Sequence, residues 1–161
     1  MVLRRRFITE RRWKMIKAED LRIGDLVKVN EVSCMVPKGT LCKVVAIDSE
    51  KSFEELNLKG CATLIELEVN HCSISFGVWC KFISPIPLTP EILEKNGFEM
   101  REDSVVYAKT RLGLKPLGDG KGYQVGLGSL RFLFVKVRII KYVHELQHII
   151  WALGLDANLK I

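Results

Sequence analysis

The sequence predicts an α+β fold: a small SH3-like antiparallel β-barrel half, followed by further strands and a C-terminal amphipathic helix. Three observations carry this prediction. Short runs before residue 84 alternate apolar with polar residues, the period of a half-buried strand. A capped helix signature stands between Thr89 and Gly97. Apolar residues recur at spacings of three and four from Ile139 to Leu153.

Residues 1–15 read as a basic N-terminal arm and 16–161 as a single α+β domain, with a β-rich half (16–84) and a helix–strands–helix half (85–161). In the first half, Leu26-Val27-Lys28-Val29 is a strand. Thr40 to Ile47 is a longer one, launched by the Pro37-Lys38-Gly39 turn. Thr63 to Val69 alternates cleanly, Ile74 to Phe82 reads as a fourth strand, and Ser49 to Lys59 is a polar loop. Five short strands around one core make an SH3-like or similar barrel.

Pro85-Ile86-Pro87-Leu88 is a stiff extended linker. Thr89 is a good N-cap, Pro90 suits the first helical position, and Gly97 ends that helix. Val105 to Ala108 and Tyr123 to Val125 are short strands, and Arg131 to Ile139 is the strongest strand pattern in the chain. The glycine run from Gly118 to Gly122 reads as a turn, because no Gly-Lys-Ser/Thr ending and no helix follow it. The last helix spans about Lys141 to Leu153, with Gly154 beyond it. Tyr142, Leu146, Ile149, Ile150 and Leu153 are expected to be buried and His144 and His148 exposed, opposite the stripe. Both helices are expected to serve one continuous core.

At 161 residues, with 48% hydrophobic and 27% charged residues, the composition is that of a globular domain, which excludes collagen-like and disordered classes. The net charge of +6 is local. Arg4, Arg5, Arg6, Arg11, Arg12 and Lys14 stand against Glu10 alone, so the arm carries most of it and the remainder is nearly neutral. Such an arm suits non-specific contact with nucleic-acid phosphates. Five cysteines (Cys34, Cys42, Cys61, Cys72 and Cys80) form no C-x-x-C pair and lie mostly in strand-like runs. They read as buried reduced thiols, which places the protein in a reducing cytoplasm. No stretch has the roughly 20 apolar residues of a membrane helix, and no apolar segment of secretory type follows the basic start.

One motif carries chemistry. His144-Glu145-Leu146-Gln147-His148 matches H-E-x-x-H, in which two histidines on one helical face hold zinc and the glutamate acts as general base. A working site also needs a third ligand and a cover. Only Asp156 among acidic residues, and no histidine, follows His148, and the upstream choices are His71 and Asp119. The expectation is therefore no metal and no catalytic residue, with zinc on His144 and His148 and Glu145 as base kept as the alternative.

Three stretches carry a resemblance: Lys17 to Val27 (KAEDLRIGDLV), Ile86 to Phe98 (IPLTPEILEKNGF), and Tyr142 to Gln147 (YVHELQ) running into Ala152-Leu153. With their spacing, they resemble an uncharacterised family of small phage and mobile-element proteins from gut bacteria. The resemblance covers most of the chain from Ile16 onward. It implies amide residues at the positions of Glu145 and His148, and hence an accidental H-E-x-x-H match, and it names no activity. The function expected is a non-enzymatic accessory or interaction module of phage or mobile-element origin, with a protein partner, acting in the cytoplasm of a bacterial host. The alternatives are the zinc-dependent hydrolase and a virion structural or decorating protein.

Overall fold

Two antiparallel five-stranded sheets, one from each half of the chain, form the framework of an α+β fold. A computed structural model of the chain describes residues 16–30, 36–48, 64–69, 75–101, 104–107, 112–118, 120–127 and 138–161. The arm residues Arg4, Arg5, Arg6, Arg11, Arg12 and Lys14 lie outside the described residues, as do Cys34, Cys61, Cys72, His71, Asp119 and most of the Arg131–Ile139 strand pattern.

In the first sheet, β1 (Leu26–Val29), β2 (Leu41–Asp48), β3 (Leu64–Val69) and β4 (Ser75–Trp79) form a meander. The predicted fourth strand is shorter than expected, because the chain turns through a 3₁₀ turn at Cys80–Phe82. It then forms β5 (Ile83–Pro85), which pairs with β1 rather than β4. The order is β4-β3-β2-β1-β5, and no ladder joins β4 to β5 among the described residues. The β2–β3 register shifts between Val44 and Ala46, a bulge that bends the strand. Val27, Val29, Val44, Ile65, Leu67 and Ile83 are completely buried in this half, with Cys42 and Cys80 buried beside them. Burial raises the Cys42 thiol to about 11, which leaves it un-ionised and inert at neutral pH.

The second half opens with α1 (Pro90–Lys95). The Thr89 side chain accepts from the Ile92 amide, and Pro90 sits where no amide donor is needed. A second meander follows: β6 (Phe98–Met100), β7 (Val105–Tyr107), β8 (Leu112–Leu117), β9 (Gly122–Leu127) and β10 (Arg138–Ile140). β6 and β8 are not predicted by the pattern. Pro116 and Gly113 argue against a strand, yet β8 pairs with β7 only at Gly113 and Leu114, so Pro116 lies beyond that ladder. β9 opens on Gly122 (φ +98°), where a Cβ would run into the carbonyl of Ile140 on β10.

α2 (Val143–Ala152) closes the fold and ends in a Schellman motif, with Gly154 N donating to Trp151 O and Leu155 N to Ile150 O. The linker runs beside the start of this helix. Leu88 N donates to Lys141 O and Val143 N to Ile86 O. The C-terminal tail is pinned to α1 through Asn96, which donates to Lys160 O and accepts from Lys160 N, both at 2.7 Å.

Both helices serve one core, as expected, and the first sheet has a separate one. There are two apolar clusters, and both helices belong to the second, where Leu93, Leu112, Leu114, Ile140, Val143 and Leu146 are fully buried. The helix face is narrower than predicted. Leu146 and Ile150 are buried, Tyr142 and Ile149 are half-buried, and Leu153 is exposed. Leu153 follows the last helical residue, so it no longer projects along the stripe.

Candidate functional site

The seam between the two halves is polar, and α2 builds it. His144, Gln147, His148 and Trp151 recur at helical spacing, so one stripe of the helix presents all four. The sequence reading placed the histidines on the outer surface. Instead His144 is only 5% exposed and the His148 side chain 19% exposed. His148 and its neighbour Gln147 meet the Arg22–Leu26 turn at the entry to β1, a segment far from α2 in sequence.

That turn is held from three sides. Gly24 takes a left-handed conformation (φ +96°), and its amide donates to Val44 O on β2. The Val44 amide donates in return to Asp25 O. The Asp25 carboxylate accepts from the Arg22 amide at 2.7 Å, closing the turn on itself. From the helix side, Gln147 accepts from Leu26 N at 2.9 Å, and its amide nitrogen donates to Gly24 O and Ala157 O, each at 3.1 Å. One buried amide therefore clasps the first half, the helix and the C-terminal tail. Gln147→Ala leaves buried backbone groups without partners and is expected to cost about 1–3 kcal/mol, measured by urea denaturation.

His148 Nε2 lies 2.9 Å from both carboxylate oxygens of Asp25, which is almost completely buried. A carboxylate only accepts, so Nε2 carries the proton. Glu145 is equally committed. Its Oε2 accepts from the amides of Tyr142 and Lys141 at 3.1 and 2.7 Å, capping the helix start, and Arg138 stands 3.7 Å from Oε1. Glu145 thus has local structural partners, and His148 has one across the seam. Asp25 reaches His148 Nε2 and accepts its proton in a hydrogen bond. Among the described residues no group of three or more His, Cys, Asp or Glu side chains converges as a metal site would require.

His144 stacks on Tyr142 with ring centroids 5.9 Å apart, and its Nδ1 is buried without a partner among the described residues. Burial holds His144 below the ordinary imidazole range. Asp25, Glu145 and Asp20 pull the other way and do not overcome it. The unfolded chain therefore binds this proton at higher pH than the folded one does. Stability is expected to fall as pH drops below about 6.5, and to go on falling until His144 protonates in the folded state. Thermal melts across that range should show a shallower acid decline for His144→Phe; parallel declines for both proteins would count against it.

Two clefts flank this seam. One, of about 380 Å³, is lined by Glu19, Asp20, Arg22, Arg138, His144 and His148 among others. The other, of about 370 Å³, lies between Ile23 and Trp151, with Arg22, Lys43, Leu155 and Asp156 around it. Ile23 is 72% and Trp151 66% exposed, and the Arg22 guanidinium lies 5.3 Å from the Trp151 ring centre. The sequence reading missed Asp25, Gln147, Ile23 and Trp151. The available signal for the last two was an isoleucine in a tight Arg-Ile-Gly-Asp turn and a tryptophan off the apolar stripe. Among the described residues no helix is long and apolar enough to cross a membrane. No protein-family model, no curated protein and no solved structure matches this chain.

Proposed function

We propose that this protein is a non-enzymatic interaction module of phage or mobile-element origin, acting on a protein partner in the cytoplasm of a bacterial host. One observation carries the reading. Glu145 and His148 of the chemistry-bearing motif are engaged in holding the fold together, while the same helix exposes Trp151 beside Ile23 and Arg22 at the seam. Exposed tryptophan and arginine next to aliphatic surface are the residue types that anchor protein contacts. We further propose that residues 16–84 form an SH3-like barrel. The strand order β4-β3-β2-β1-β5, the 3₁₀ turn before β5 and the bend in β2 support this.

The test is affinity purification of the full chain from bacterial cells, with metal analysis of the same preparation. A protein retained by the wild type and lost on Trp151→Ala, with the thermal melt unchanged, is the expected result. Stoichiometric zinc and peptide hydrolysis, both lost on His148→Ala, would replace this reading with the hydrolase. Metal content is the needed readout there, because His148→Ala also breaks the contact with Asp25.

Any nucleic-acid binding is proposed to reside in the arm from Arg4 to Lys14. Its affinity should fall steeply with salt, as counterion release requires. Deleting residues 1–14 should abolish retention on single- or double-stranded DNA; unchanged retention assigns the binding elsewhere.

A further inference from the structure

We infer that the Ile23–Trp151 groove takes a segment of a partner protein in which an apolar side chain stands next to an aspartate or glutamate. The inference rests on the interaction-module reading and adds the chemistry of the partner. The groove has an aliphatic wall from Ile23, Leu155 and Ala157 and an aromatic one from Trp151. Its volume of about 370 Å³ suits one or two side chains rather than a broad flat face. Burying an apolar side chain there removes it, Ile23 and Trp151 from water together.

Charge selects the neighbour. Asp25, at the base of the groove, is taken by His148 and the Arg22 amide. Arg22 and Lys43 line the same groove, and neither guanidinium nor ammonium meets a carboxylate within ion-pair distance among the described residues. Arg22 lies over the Trp151 ring, which orients a planar fork of donors at the groove edge. A carboxylate is the side-chain group that such a fork and a nearby ammonium accept together. Nucleic acid fits less well. Arg22 lies over the tryptophan and the wall is aliphatic, which leaves little aromatic face for base stacking.

The experiment is a display selection of short random peptides against the immobilised full chain. A selected peptide is then titrated in solution against the wild type, Trp151→Ala and the double variant R22E/K43E. Enrichment of sequences pairing Asp or Glu with a large apolar residue is expected. Trp151→Ala should weaken such a peptide by about 30-fold, the scale of an interface anchor. R22E/K43E should weaken it by about 10-fold or more and favour the same peptide with lysine in place of its acid. Thermal melts of both variants exclude unfolding, since Trp151, Arg22 and Lys43 are not core residues.

Basic or uncharged sequences held through Trp151 would overturn the acidic class and leave the interaction reading standing. The absence of any Trp151-dependent peptide overturns the groove itself. So does a dimer of the chain that Trp151→Ala dissolves, or a single-stranded oligonucleotide bound through Trp151. Zinc-dependent hydrolysis, by contrast, would remove the interaction reading without altering which peptides the groove selects.

Discussion

Asp25→Ala is expected to destabilise the protein by about 1–3 kcal/mol for each donor left without its acceptor, the cost of stranding a buried hydrogen-bonding group. The Asp25 side chain is 3% exposed and serves two donors, the Arg22 amide and His148 Nε2–H. Alanine leaves both without an acceptor and removes the group that shapes the turn into β1. Asp25→Asn keeps an acceptor oxygen at the same place, so a smaller loss is expected. A double-mutant cycle with His148→Ala isolates the contact across the seam, with an expected coupling of about 1–3 kcal/mol. Urea denaturation supplies all four values. Additive losses would mean that Asp25 acts only within its own turn and that α2 is not held to the first half through it.

Leu146→Ala is expected to cost about 2–5 kcal/mol, because it opens a cavity in a site with no exposure to collapse into. Leu146 is 0% exposed and lies in the second cluster with Leu112, Leu114 and Ile140, all fully buried. The same truncation at Leu153, 39% exposed, should fall within about 0.5 kcal/mol of the wild type, as surface changes do. The pair distinguishes the buried face of α2 from its exposed C-terminal end. Equal losses at Leu146 and Leu153 would contradict the burial described for this helix.

Much of the framework was legible from local patterns. The strands at Leu26, Thr40 and Thr63 were visible because one face of each is apolar and the period of two reports that directly. Both helices announced themselves through Thr89, Pro90, Gly97 and Gly154, since capping chemistry acts within a turn or two of the residue concerned. The strands at Phe98 and Leu112 were hidden by short length and by Gly113 and Pro116, which count against a strand until the neighbour's ladder is known to end first. The tail also left a trace: Leu155, Ala157, Leu159 and Ile161 alternate, and all four pack against the second cluster.

The sequence by itself determined which residues are apolar, where the chain turns and where helices start and stop, because those depend on neighbours within a few positions. It also determined that α2 carries a polar stripe with two histidines. Only the tertiary structure decided where that stripe faces. Hydrophobic periodicity reports burial against oil-like surfaces, and a polar stripe looks solvated unless its partners are known. Here the partners of Gln147 lie 121 and 123 residues away, at Leu26 and Gly24, and His148 meets Asp25 across 123 residues. Burying polar groups is costly unless they find hydrogen bonds, and those of Gln147 and His148 exist only once both halves are folded. The same contact turns an apparent catalytic motif into the clasp of the fold and leaves Trp151, one turn further along, at the surface.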